Sequence, residues 1–410
     1  MTQGTHYTGW LTPKRLRAHG LIVGAVLWSI YLWTLTTPGL RDRNGNLKGT
    51  DFLHFYTLGL IAREHRGPEL YDMKVQAELA AAHVPQAAAI KYLPLYPPQT
   101  SILFAPLAHL SYGHALAGWW MMSAILYFLC CYWIWRTCPN LRSQAMTVAI
   151  VAAAFPAFFH LIAWGQTSAL ALACFTGAYL SLRSKREFLA GIALGCLAFK
   201  PQLALAAAVI FVASGAGRVV IGATLSGLAQ FLAGVLYYGS QAFHDWLWML
   251  GNLRSALPFL EPKIYQTYCL RTFWAMLLPI PGLAFILYVV SAAVLLGITI
   301  FLWRRSSTPL SVRFSALLLT TVLVAPHLTV YDLVILAPAF LLLSDWLITL
   351  PVEATKGQIG TALYCVYMFS LIGPLARWTH VQLSVIAMSA VVFLLWRQSR
   401  FSSLLQPANT

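Results

Sequence analysis

Residues 188–216 read FLAGIALGCLAFKPQLALAAAVIFVASGA, an apolar stretch with one charge, Lys200, followed at once by Pro201. A spanning helix needs about 20 apolar residues at a rise of 1.5 Å each. This stretch is too long for one simple span, and basic residues flank both ends: Arg183, Lys185 and Arg186 before it, Arg218 after it. A single kinked helix would place those flanks on opposite sides of the bilayer and hold the ammonium mid-membrane, at a cost of at least about 2.5–3.5 kcal/mol. Two short helices, 188–199 and 202–216, meeting at an outer apex satisfy both facts, because proline removes a backbone donor and breaks the helix. This reading predicts an all-α membrane protein with Lys200 at the outer membrane face.

Composition extends that reading to the whole chain. Of 410 residues 59% are hydrophobic and 10% charged, with a mean hydropathy of +0.69, whereas a soluble domain carries about 25% charged residues. Disordered, collagen-like and disulfide-rich secreted classes are excluded. The net charge of +15 does not point to nucleic acid, since excess Lys and Arg in a polytopic protein mark cytoplasmic loops and contacts with membrane lipids. The seven cysteines lack C-x-x-C pairs and zinc spacing, and are read as buried structural thiols.

Hydropathy places twelve spans, near 20–38, 114–135, 144–162, 167–182, 188–199, 202–216, 219–238, 283–303, 314–329, 333–349, 358–375 and 380–396. Lys14, Arg15, Arg17, Arg136, Arg142, Arg183, Lys185, Arg186, Arg218, Arg304, Arg305, Arg313, Lys356, Arg397 and Arg400 then share one side. Both termini are therefore expected in the cytoplasm. The run after Lys14 lacks a small-residue cleavage pattern and reads as an uncleaved first span. Residues 1–410 form one transmembrane domain on this reading, with two long outer loops at 41–113 and 239–282. In the first loop Asp51 to Arg63 reads as an amphipathic interfacial helix capped by Thr50 or Asp51, and Asp72 to His83 as a second helix. The second loop alternates Trp246, Trp248, Phe259, Tyr265 and Tyr268 with charge, which suits the membrane interface.

With only twelve acids in the chain, each is informative, and most fall on the outer side. Asp51 opens its helix with His54 three residues on and Tyr56 adjacent. It is either a helix cap or a reactive carboxylate. His327, after Pro326 and one turn before Tyr331 and Asp332, is either a packing residue or a ligand-binding one. Gln166 stands at an outer helix boundary, and Lys200 at the hairpin apex is either a snorkelling charge or a phosphate holder.

These residues stand in a series. Asp51-Phe52-Leu53-His54-Phe55-Tyr56 with Gly59, Leu70-Tyr71-Asp72, Tyr92, Tyr96-Pro97-Pro98, Phe104-Ala105-Pro106-Leu107, Gly165-Gln166, Ala190-Gly191 leading to Lys200-Pro201, and Ala325-Pro326-His327 with Tyr331-Asp332 resemble, in order and spacing, the family 87 glycosyltransferases of the GT-C superfamily. The resemblance runs from about residue 50 to 345. It implies a polytopic GT-C enzyme that moves a sugar, typically mannose, from a polyprenyl-phosphate carrier to a glycolipid or glycan acceptor outside the cytoplasmic membrane. It maps the catalytic aspartate onto Asp51 and the outer-face histidine onto His327. Asp51 is followed by Phe52 rather than a second acid, so no metal and no cofactor is expected.

Such chemistry suits the residues. Phosphate leaves without protonation, so one general base suffices, whereas glycosidases need two carboxylates. The expected roles are Asp51 as base, Lys200 and Arg271 for the phosphate, and His327, His54 and Gln166 for hydrogen bonds to sugar or phosphate, with Tyr56, Tyr96, Tyr331 and Asp332 completing the substrate site. A non-enzymatic transporter or flippase is the competing expectation, and a histidine-based membrane O-acyltransferase a third.

Overall fold

The computed structural model describes residues 10–253, 261 and 263–404. Phe259, named among the second-loop aromatics, lies outside the described residues. Every regular element among the described residues is helical, and the only β pairing is two isolated bridges, Arg41 with Leu47 and Thr267 with Thr329. Each expected span coincides with a helix or a helix pair. Six helices are long and apolar enough to cross a membrane: Pro13–Leu35, Tyr112–Trp135, Gly217–Tyr238, Pro281–Arg304, Val330–Ile348 and Glu353–Thr379. A seventh span arises if Pro139–Ala153 and Pro156–Trp164, bent by 45°, count as one. Ser168–Arg183, Glu187–Phe199, Pro201–Ala213 and Leu310–Val324 are apolar but shorter, so length and composition do not yield the expected twelve.

Burial sorts the helices. Leu310–Val324 runs through the centre of the bundle with nearly all of its residues buried, while Pro13–Leu35 buries only Gly20, Val23 and Thr34. The break in the 188–216 stretch falls at Lys200-Pro201, as the proline dictates. The first arm of that hairpin packs on Gly217–Tyr238 through small residues. A Cβ at Gly191 or Gly222 would strike the facing backbone, and such close approach is what holds helices together where apolar burial gives no advantage over lipid.

Two expectations are corrected here. The helix Phe52–Arg63 does not lie in the interface with one wet face: every residue from Phe52 to Ala62 is buried. It is plugged into the protein beneath Tyr96 and Phe104, with Phe55 stacked on Phe104 at 4.9 Å and Phe52 on Trp119 at 5.9 Å. Lys200 is likewise not at a wet apex, for it is 3% exposed. The helix Met73–His83 forms as expected, and Asp72 caps it by accepting from the Lys74 and Val75 amides.

Candidate active site

Asp51 stands immediately before the buried helix, but its side chain caps nothing. Its backbone amide donates to the Trp164 carbonyl at 3.0 Å, and its carboxylate accepts from Gln166 Nε2 at 2.6 Å. Local sequence explains the aim of Gln166. Gly165 ends the helix Pro156–Trp164 at φ +71°, a left-handed turn that favours glycine, and a Cβ there would lie 2.6 Å from Phe52 Cβ. The Trp119 indole fixes the same turn by donating to the Gly165 carbonyl at 3.0 Å. Behind Asp51, the Tyr112 hydroxyl donates to the Gly49 carbonyl at 2.9 Å and the Tyr92 hydroxyl to that of Thr50.

Asp332 sits one turn into the helical segment Val330–Leu336 and joins a buried network. Lys200 Nζ donates to its Oδ1 at 2.8 Å and to Ser168 Oγ at 3.0 Å, and Ser168 in turn donates to the same carboxylate oxygen. The other oxygen faces the Thr329 amide and hydroxyl at 3.4 and 3.5 Å. Tyr331 completes the wall, 5.3 Å from Lys200 Nζ at its ring centroid and 5.6 Å from the Trp164 ring. Tyr96 and His54 line the other flank, with rings 5.8 Å apart, and Tyr92 lies 5.2 Å from His54.

These neighbours set the electrostatics. Burial pushes the Asp51 carboxyl up to about 6, opposed by the Gln166 hydrogen bond and the Lys200 charge and reinforced by Asp332. Burial pushes His54 down to about 4, and neither of its ring nitrogens has a hydrogen-bond partner. Asp51 remains partly open to solvent, while Gln166, Lys200 and Asp332 are buried. Two carboxylates thus share the site in different states. One accepts from a cation and hydroxyls, and the other accepts from a single neutral amide.

Seven of the ten sequence-based candidates therefore converge: Asp51, Gln166, Lys200, Tyr331 and Asp332 around the carboxylates, and His54 and Tyr96 beside them. Tyr56 does not join them, because its hydroxyl donates to the Leu110 carbonyl at 2.8 Å and its ring packs on Tyr112 at 5.5 Å. Lys200 is not a free phosphate holder either, since its charge is spent on Asp332. His327 and Arg271 form a second cluster around Glu261. His327 Nδ1 lies 2.7 Å from Glu261 Oε1, and Arg271 donates to that oxygen and to the Pro326 carbonyl. Burial raises the Glu261 carboxyl, but His327 and Arg271 outweigh it and hold it below its ordinary value. This cluster is tied to the first through Thr329, which pairs with Thr267 on one side and approaches Asp332 on the other. Ser168 and Glu261 were not among the candidates. Ser168 lies only two residues beyond Gln166, and Glu261 had only its outer-side position to mark it.

The sequence model of glycosyltransferase family 87 matches residues 95–326. The match takes in Tyr96, Gln166, Lys200 and Arg271, while Asp51 and Asp332 lie beyond its two ends and reach the site through the fold. No curated protein and no solved structure matches the chain. Over half of the chain thus carries the family's sequence pattern on an all-helical, multi-span scaffold, and the protein belongs to glycosyltransferase family 87 of the GT-C superfamily, the glycosyltransferases embedded in membranes.

Proposed function

We propose that the protein is an inverting glycosyltransferase that moves mannose from a polyprenyl-phosphate carrier to a lipid or glycan acceptor at the outer face of the cytoplasmic membrane. Asp51 takes the proton of the acceptor hydroxyl, and that oxygen attacks the anomeric carbon. The bond from the anomeric carbon to the phosphate oxygen breaks, polyprenyl phosphate leaves as the anion, and a β-linked donor gives an α-mannoside. The proton ends on Asp51.

The observation that carries this reading is the inequality of the two carboxylates. Asp332 is engaged by Lys200, Ser168 and Thr329, whereas the Asp51 carboxylate accepts from Gln166 as its one side-chain partner among the described residues. A glycosidase would need a second carboxylic acid for its leaving group, whereas a phosphate leaves without one. A carboxyl pushed up to about 6 is also a better-matched base near neutral pH than one at its ordinary value. The Arg271 side chain is partly exposed, and with His327 it would receive the phosphate. The basic residues on the side of both termini support a site facing away from the cytoplasm.

The test is transfer of radiolabelled mannose from synthetic polyprenyl-phosphate-mannose to a membrane-lipid extract, by purified protein in nanodiscs. Wild type should transfer label, and Asp51→Asn should bind the donor without transferring it. Donor binding without transfer by the wild type would overturn the sugar or acceptor assignment. Failure to bind the donor lipid at all would remove the polyprenyl-linked reading.

A further inference from the structure

A cavity of about 280 Å³ lies away from Asp51. The helix Tyr112–Trp135 places it: Tyr112 bonds the backbone beside Asp51, whereas Tyr127, fifteen residues and about 22 Å further on, lines the cavity. It is a groove walled by Leu16, Tyr127, Val151, Phe155, Phe340 and Tyr367, and the two charged residues of its lining, Glu353 and Lys356, stand together in the first turn of the helix Glu353–Ile372. The first helix closes the mouth without filling the groove. His19 Nδ1 meets the Tyr364 hydroxyl at 2.6 Å and Trp10 Nε1 donates to Thr361 at 3.3 Å, both across the opening.

Three features define an occupant. The walls are apolar, and an empty groove would deprive them of dispersion contacts that an aliphatic chain restores. Along the helix Glu353–Ile372 the groove runs from Glu353 to Tyr367, about 21 Å at 1.5 Å per residue, close to the ~20–22 Å of one leaflet with its headgroup region. A chain crossing both leaflets would overrun it. Basic residues stand beside lining residues at its charged end. Lys14, Arg15 and Arg17 occupy the first turns of the first helix, Arg142 follows the lining residue Leu141, and Lys356 lies on the rim. Arg15 and Arg17 donate to the neutral backbone carbonyls of Trp10 and Pro13, and neither forms an ion pair among the described residues. The acids at this end are Glu353, which pairs with Lys356 at 3.4 Å, and Asp345, which accepts from the Asn140 amide at 2.8 Å.

We propose that this groove is a binding site for one anionic phospholipid of the leaflet on the side of the chain termini, with an acyl chain between Tyr127 and Phe340 and the phosphate among Lys14, Arg15 and Arg17. The site is separate from the reaction centre.

The geometry also supplies the blocking variant. Gly360 lines the groove, and a Cβ there meets Leu347 Cδ1 at 4.0 Å, an ordinary contact, so Gly360→Leu adds a side chain to the groove from a position with room for its Cβ. Purified full-length protein in detergent is titrated with dioleoyl phosphatidylglycerol or dioleoyl phosphatidylcholine and followed by native mass spectrometry and thermal unfolding. The anionic lipid should remain bound as a single adduct and raise Tm by about 5 °C at saturation, and the zwitterionic lipid should bind at least tenfold more weakly. Gly360→Leu should lose both effects. Changing Lys14, Arg15 and Arg17 together to Gln should abolish the preference between headgroups and leave residual binding of both. Equal binding of the two lipids by wild type, or undiminished binding by Gly360→Leu, would overturn the proposal. Should Gly360→Leu not fold, phosphatidylglycerol with a photoreactive acyl chain answers the same question on the wild type: crosslinks to the Tyr127, Phe340 or Tyr367 peptides support the site, and crosslinks confined to other helices refute it.

Discussion

Replacing Asp51 with Asn should remove activity and stabilise the fold, and both effects come from the same burial. The carboxyl is pushed from its ordinary 3.8 to about 6, so the folded state resists its ionisation. At 1.36 kcal/mol per pH unit that resistance amounts to about 3 kcal/mol at neutral pH. Because Asp51 is partly open to solvent, about 3 kcal/mol is a ceiling. A group raised in the folded state contributes its stability fully below the unfolded pKa and loses it as pH rises through the folded one. The wild type should therefore fall behind Asp51→Asn between about pH 4 and pH 6, and the gap should stay constant from pH 6 to pH 8. Asn keeps an oxygen that can accept from Gln166, so no hydrogen bond is sacrificed. The assay is thermal unfolding in detergent at one fixed scan rate, for both proteins, at pH 4.5 and pH 7.5. The variant should unfold about 4 °C higher at pH 7.5 and within about 2 °C of the wild type at pH 4.5. An equal gap at the two pH values, or a less stable variant at pH 7.5, would show that the carboxylate is held for structure and refute its assignment as a poised base.

Turnover of the wild type should rise with pH through about 6, as Asp51 gives up its proton, and level off above; a pH–kcat profile that is flat from 5 to 7 would contradict this. Lys200→Met leaves Asp332 buried without its cation and should cost about 3–5 kcal/mol, whereas Lys200→Met combined with Asp332→Leu should recover most of that loss, as read by thermal unfolding of all three proteins. Gly165→Ala must hold an L side chain at φ +71° against Phe52. It should lose about 1–3 kcal/mol and lower kcat more than it raises KM, because the turn aims Gln166 at Asp51.

What the sequence made legible depended on range. The helix break at Lys200-Pro201 was readable because proline acts on its own backbone, and Asp51 and Gln166 were readable because each stands at a helix end that its neighbours mark. The mistaken wet face of Phe52–Arg63 arose from residues such as Tyr56 and Thr57. Their polar atoms suggest solvent, yet Thr57 bonds the Leu53 carbonyl within its own helix and Tyr56 the Leu110 carbonyl. Polar atoms satisfied in place look, in a sequence, like polar atoms turned to water. The roles of the charges were hardest to read, because they are set by partners far apart in the chain. Lys200 and Asp332 are separated by 132 residues and His327 and Glu261 by 66, and hydropathy could place each pair at one membrane face without joining them. Once they are joined, the charges decide the chemistry. A lysine buried near two aspartates can neutralise only one of them. Ser168 and Thr329 direct it to Asp332, and the Asp51 carboxylate keeps the Gln166 amide as its one side-chain partner among the described residues, the asymmetry on which the proposed base rests.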